Sequence, residues 1–184
     1  MVLGLDVSTA VVGYCVLDSN GTIVELDYVN LKKFKTLCSK SSNLITALRS
    51  INEKHKITEV YIEECLQRFS YGRSSAATIT KLASFNGIVQ YLSYDTYGIE
   101  PKLLNAMTAR KLLGIKTQSK KKSGKDVKQQ VFEWVTHYLD MSWPTKILKG
   151  GPRKGTEVLK EEAYDMADAW VIAKAALNSI NVVN

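Results

Sequence analysis

In the opening stretch MVLGLDVSTAVVGYCVLD, two apolar runs are interrupted by one carboxylate, Asp6. Apolar, β-branched runs of this length read as buried strands. A buried strand accepts an ionised side chain only where a partner or a metal offsets its desolvation. Asp6 therefore constrains both the fold and the chemistry, because something must be built around it.

The rest of the first half follows a β-rich order. VLGLDV and VVGYCVLD form the first two strands, with Gly13 expected to ease the turn between them. Asp18-Ser-Asn-Gly21 supplies a hairpin turn into a third strand, TIVELDYVNL. Ser41 or Ser42 is placed to cap a helix carrying Leu44, Leu48 and Ile51 on one stripe and ending near Lys54. ITEVYIEE reads as a fourth strand that enters in parallel by a crossover.

Residues Ser74 to Tyr94 have helical periodicity with many small side chains. YGIEPKLL is expected as a fifth strand, MTARKLLG as a short helix and Ser123–Tyr138 as a longer one. A loop with Pro144, Gly150, Gly151, Pro152 and Gly155 precedes a last helix. The expected class is α/β, with three antiparallel strands, then parallel ones, in a mixed five-stranded sheet covered by helices on both faces. The 184 residues fit one domain, 1–184.

Charge is segregated along the chain. Residues 101–160 hold 14 Lys+Arg against 4 Asp+Glu, whereas the remainder holds 11 against 14. This suggests a polyanion-binding face on a mildly acidic body, although a solvated lysine-rich loop has the same composition. Three cysteines are scattered singly and neither histidine has zinc-finger spacing. No apolar stretch approaches the roughly 20 residues that span a bilayer, and the first strand begins at residue 2. The expectation is a soluble intracellular protein with no membrane partner.

Carboxylates end strands or share a helix face at three places: Asp6; Glu63 with Glu64; and Asp165 with Asp168 in EEAYDMADAW. Asp165 and Asp168, at i and i+3, project from one side of a helix. If strands two and three form an outward hairpin, strands one and four become neighbours and Asp6 meets the end of VYIEE. Only one of the adjacent glutamates can then face the site, and Glu64 is expected to be exposed. Four clustered carboxylates repel unless a cation joins them. Ligands that are all oxygen favour Mg²⁺ or Mn²⁺, and two ions about 4 Å apart suit phosphodiester hydrolysis. Taken alone, Asp165 is better explained as a helix-dipole partner.

LGLDVSTAVVGYCVLD, VYIEE, KKKSGKDVKQQVFEWV and AYDMADAWVIA, in that order, resemble the RuvC-type Holliday-junction resolvases of the ribonuclease-H-like superfamily. The resemblance spans almost the whole chain. It implies that Asp6, Glu63, Asp165 and Asp168 are the metal-binding catalytic carboxylates, with Glu63 filling the first glutamate of the family's I-E pattern. It also implies that Lys128 and Lys111 contact the scissile phosphate or its neighbours. Lys120, Lys121, Lys122 and Lys125 would serve as generic phosphate contacts. In LQRFSYGR, Phe69 and Tyr71 are candidates to stack on bases at the junction centre, flanked by Arg68 and Arg73; packing on the domain's own surface is the alternative for either aromatic.

The implied activity is that of a crossover junction endodeoxyribonuclease, acting as a homodimer on branched DNA with two Mg²⁺ per site. The Ser74–Tyr94 helix is the expected dimer contact. Three other readings are weighed against it: a nuclease of this fold for other branched DNA or RNA-containing duplexes, a fold that only binds nucleic acid, and an actin-like or sugar-kinase ATPase fragment. The last lacks a second lobe and further glycine-rich loops. The family's Asp-Pro-Gly is replaced by Asp6-Val7-Ser8, and the 141–160 loop is longer than the bacterial pattern, as expected of a divergent viral or phage branch.

Overall fold

In the computed structural model, which describes residues 1–65 and 75–183, one mixed sheet carries the chain. Its strands are β1 (Val2–Val7), β2 (Val11–Leu17), β3 (Ile23–Asn30), β4 (Glu59–Glu63) and β5 (Lys102–Leu104), in the order β3-β2-β1-β4-β5. β1, β2 and β3 are antiparallel neighbours, whereas β4 runs parallel to β1 and β5 parallel to β4. The β2–β3 hairpin does lie outward, and β4 reaches β1 through the crossover helix α1 (Leu37–Lys54). β1 is therefore central, which accounts for its complete burial.

Alternation along β1 divides the interior in two. Leu3, Leu5 and Val7 face a core made with Leu44, Leu48 and Ile51 of α1 and Phe85 and Val89 of α2 (Ala76–Tyr97). Each of these fully buried aliphatics contributes roughly 2 kcal/mol by leaving water. Val2 faces the other core, formed with α3 (Ala106–Leu112), α5 (Val127–Thr136) and α6 (Glu162–Val183), where Trp170 and Ala173 are buried. Helices thus cover both faces.

Gly4 lets α6 lie directly on the sheet. A Cβ at Gly4 would come within 2.6 Å of the Ala173 nitrogen and 2.7 Å of the Ala169 carbonyl. Small residues on α6 complete the fit, since Ala169, Ala173 and Ala176 are all fully buried. α6 can consequently cross β1 and β2 closely enough to bring its own polar groups to their ends.

Several local expectations change. Gly13 lies inside β2 rather than in a turn, and the turn is held instead by Ser8, whose Oγ accepts from the Ala10 and Val11 amides at 3.2 and 3.0 Å. Thr36, not Ser41 or Ser42, caps α1: its Oγ1 accepts from the Ser39 amide at 3.1 Å. Ser41 and Ser42 sit within the helix and donate back to the Leu37 and Cys38 carbonyls. α2 continues to Tyr97 and stops at Gly98, whose φ of 67° is left-handed, so the fifth strand shrinks to Lys102–Leu104.

The expected Ser123–Tyr138 helix divides as well. A four-residue turn, α4 (Lys120–Ser123), ends at Gly124 with φ 72°, and α5 starts afresh at Val127. The 141–160 loop contains a two-stranded hairpin, β6 (Thr145–Ile147) with β7 (Glu157–Leu159). Among the described residues, no helix is long and apolar enough to cross a membrane.

Candidate active site

Asp6 shares the α6 face with Val2 and Gly4, because those positions alternate with Leu3, Leu5 and Val7. The parallel register Leu5↔Ile62 places Glu63, the next residue of β4, beside Asp6, the next residue of β1. α6 starts over these strand ends and presents Asp165 and Asp168 one turn apart. Gly13 pairs with Asp6 across the β1–β2 ladder, and a Cβ there would overlap the Asp165 carbonyl. Only glycine at position 13 permits this close approach of the first turn of α6.

α6 is fixed in place by a further ion pair. Lys32 Nζ lies 2.7 Å from Glu162 Oε1, and Glu162 is only 8% exposed. On β4, the Glu63 carbonyl accepts from Asn86 Nδ2 at 3.0 Å, and Asn86 Oδ1 accepts from Gln90 Nε2 at 2.9 Å. α2 thereby holds the end of the strand that carries Glu63.

One cation joins the aspartates. Lys128 of α5 places Nζ 2.8 Å from Asp165 Oδ1, 3.7 Å from Asp168 Oδ2 and 4.0 Å from Asp6 Oδ2. Asp6 and Asp168 are 8% and 6% exposed, so their charges are stripped of most water. Burial raises the Asp6 pKa well above the usual carboxylate range; Glu63 and Asp168 add to the rise, while Lys128 opposes it. Burial likewise pushes Asp168 up to about 6, opposed by Lys128 and Arg110 and reinforced by Glu63 and Asp165. For Lys128, burial works against the ammonium, but Asp6, Asp168 and Asp165 outweigh it and raise its pKa.

The donor set suits a hard divalent cation: four carboxylates, no thiolate or imidazole, and insufficient positive charge to neutralise them. Among the described residues, no three such side chains converge tightly enough to hold an ion as they stand. The Lys128 ammonium instead occupies the space between the three aspartates. It acts there as the cation that the cluster requires.

A groove of about 550 Å³ lies further along α6, lined by Trp134, Tyr138, Trp170 and Lys174 among others, and none of the carboxylates lines it. The acidic cluster, largely buried, lies beside the lysine-rich turn and α5.

No protein-family model matches the chain. The curated crossover junction endodeoxyribonuclease RuvC of Aliarcobacter butzleri (strain RM4018) is 26% identical over 149 residues, which cover 80% of this chain and 88% of that one. The chain is thus similar in sequence to a RuvC-type Holliday-junction resolvase. Two solved structures share the RuvC fold. Thermus thermophilus RuvC in complex with a Holliday junction substrate has a TM-score of 0.63 at 15% identity, covering 98% of this chain and 94% of that one. The yeast mitochondrial Holliday junction resolvase Ydc2 has a TM-score of 0.50 at 19% identity, covering 96% and 77%.

Within this RuvC-like frame, the residues singled out in the sequence take distinct positions. Asp6, Asp165, Asp168 and Lys128 stand together, with Glu63 beside them. Glu64 is half-buried rather than exposed, because its Oε2 accepts from Asn105 Nδ2 at 3.2 Å. Lys111 is exposed on α3, while the preceding residue, Arg110, carries the charge that acts on Asp168. Arg110, a cation on the half-buried side of this short helix, is thus near enough to act on Asp168 and was not singled out by the sequence.

The basic stretch is a fixed turn. Gln130 Nε2 donates to the Gln118 carbonyl, Ser123 Oγ and the Lys125 carbonyl at 2.9–3.0 Å. Lys120 pairs with Asp126 at 3.1 Å and Lys125 with Glu133 at 2.7 Å, whereas Lys121 and Lys122 are exposed with no carboxylate partner among the described residues. Arg68, Phe69, Tyr71 and Arg73 lie outside the described residues.

Proposed function

We propose that this protein is a metal-dependent, structure-selective endodeoxyribonuclease that resolves four-way DNA junctions by paired, symmetric incisions. The observation that carries the reading is the convergence of Asp6, Asp165 and Asp168 on one ammonium, with Glu63 alongside, at the strand ends of a RuvC-like fold. Buried carboxylates with raised pKa values stabilise nothing by themselves. A site built around them is a site for cationic chemistry.

Asp6, Glu63, Asp165 and Asp168 would hold Mg²⁺, with Mn²⁺ able to substitute and two ions per site. Divalent ions bound there would acidify a water and polarise the phosphoryl oxygens of the scissile phosphodiester. Asp6, fixed in the central strand, sets where the charge is held, and α6 brings Asp165 and Asp168 to it. Lys128 is positioned to offset charge that develops on the phosphate oxygens as the bond breaks. Arg110 opposes the rise in the Asp168 pKa and so favours its ionised, ligand-competent form.

Lys121, Lys122 and their neighbours on the α4–α5 turn contact flanking phosphates and set register without reading sequence. The whole chain acts as one nuclease unit on intracellular DNA. A second copy would dock through α2, whose outer side carries Tyr91 and Tyr94 at 65% and 54% exposure, and would present a second site to the opposite strand.

A substrate panel tests the proposal. Four-way junction, three-way branch, flap, RNA–DNA hybrid and linear duplex are incubated at equal concentration and salt with Mg²⁺. The four-way junction should be cut fastest, in symmetric pairs, leaving ends that a ligase seals. Faster cutting of a flap or hybrid would reassign the substrate, and cutting of none would remove the nuclease reading.

A further inference from the structure

The β6–β7 hairpin leaves the body of the fold between α5 and α6, at the edge of the acidic site. Only five residues separate the end of β7, Leu159, from Asp165. Its root is fixed to the helices that build the site. Trp143 packs edge-on against Phe132 of α5 with centroids 4.9 Å apart, and Phe132 packs in the same manner on Tyr164 of α6 at 5.1 Å. The Lys160 amide closes the base by donating to the Pro144 carbonyl at 2.9 Å.

The far end is equally well formed. The Leu148 amide donates to the Thr156 carbonyl at 3.0 Å, and the Gly155 amide returns a bond to the Leu148 carbonyl at 2.8 Å. Gly151 and Gly155 adopt φ of 77° and 86°, which turn the chain where other residues would be strained. The paired part, Thr145–Leu148 against Thr156–Leu159, extends roughly 10 Å at about 3.3 Å per residue, and residues 149–155 form the turn at its end.

Its charge is one-sided. Lys146, Lys149, Arg153, Lys154 and Lys160 lie on or beside the ribbon, and none has a carboxylate within 4 Å among the described residues. The single acid, Glu157, accepts from Thr145 Oγ1 across the ladder. By contrast, Lys120, Lys125 and Lys128 of the neighbouring turn and helix are all paired. An isolated two-stranded ribbon is marginal in water, and five cations against one acid make it more so. Such an element gains most from an anionic partner with regularly spaced charges. A two-stranded ribbon is also of a width that the DNA major groove admits.

We propose that the β6–β7 hairpin is a DNA-binding ribbon that seats on a duplex arm next to the cleavage site, with Arg153 and Lys154 on phosphates. The inference rests on the nuclease reading above and adds a contact surface to it. The ribbon extends the footprint of each protomer along one arm. Substrates with an intact duplex arm beside the branch are thereby favoured over substrates in which that arm is single-stranded.

The test is a binding titration of the full chain on a fluorescent four-way junction in EDTA, so that no cutting intervenes, over about 50–200 mM salt. The parent is compared with Arg153→Gln/Lys154→Gln, with a variant in which residues 149–155 are replaced by an Asn-Gly turn, and with the remote control Lys56→Gln. Each lost phosphate contact flattens the slope of log K against log salt by about 0.9. The double variant should therefore lose nearly 2 from its slope and about tenfold in affinity at the lowest salt, the shortened hairpin at least as much, and Lys56→Gln neither. Unchanged slopes and affinities in both hairpin variants would overturn the inference and leave the nuclease reading standing. A parent that binds no junction overturns both.

Discussion

Lys128 Nζ lies 2.8 Å from Asp165 Oδ1 and within 4.0 Å of Asp6 and Asp168, so one ammonium bridges the buried acid of β1 and the paired acids of α6. The side chain is still 55% exposed, so it can leave the cluster without disturbing the core. A lysine so placed serves as a counter-ion when no metal is bound and as a phosphate contact once one is.

Lys128→Ala should separate these two roles. Without the ammonium, the carboxylates repel more strongly and gain more from a divalent ion, so the rise in melting temperature on adding Mg²⁺ or Mn²⁺ should exceed that of the parent. Junction cutting should nevertheless fall by about 10²-fold or more, the scale expected for one lost transition-state contact. Equal metal shifts in parent and variant would show that Lys128 and metal do not compete for one space.

The pH dependence follows from Asp168. Its folded pKa of about 6 lies above the roughly 3.9 of an unfolded aspartate. Between these values the folded chain binds more protons than the unfolded one, so stability falls as pH rises from about 4 to 6 and stays reduced above that. Asp168→Asn in EDTA should therefore be more stable than the parent at pH 8, by on the order of 2 kcal/mol, and no more stable near pH 4. Urea denaturation at the two pH values reads the difference. A variant less stable than the parent at pH 8 would contradict the assignment of strain to this carboxylate.

Two glycine substitutions test how α6 is brought to Asp6. Gly13→Ala places a methyl against the Asp165 carbonyl and should cost about 3 kcal/mol or more, with loss of cutting. Gly87→Ala, on α2 with open space around it, should stabilise by about 0.5–1 kcal/mol through helix propensity. Chemical denaturation of both variants checks the contrast, and a benign Gly13→Ala would mean that α6 is not pinned by this approach.

Much of this architecture can be read from residues alone, for identifiable reasons. Apolar, β-branched runs around Asp6 and in VYIEE set both strands, and the i, i+3 spacing of Asp165 and Asp168 set the helix face. Where periodicity was weak, the reading failed. The lysine-rich run has no apolar stripe, so the break at Gly124 and the restart at Asp126 were invisible in it. The three-residue strands β6 and β7 are too short and too exposed to show alternation, and their turns resemble any Gly/Pro-rich loop. Lys111 is marked only by the family resemblance, and Arg110 by no motif, because the phase of a seven-residue helix is fixed by its packing on α6. Gly13 was read as a turn residue because close approach of a distant helix leaves no local trace.

The central claim is that Asp6 serves chemistry rather than folding or DNA binding. The most direct measurement follows binding and Mg²⁺-dependent cutting of one synthetic four-way junction by the parent and by Asp6→Asn, side by side. The account predicts junction affinity within a few-fold of the parent, with symmetric cutting reduced to background. Undiminished cutting by Asp6→Asn would contradict it.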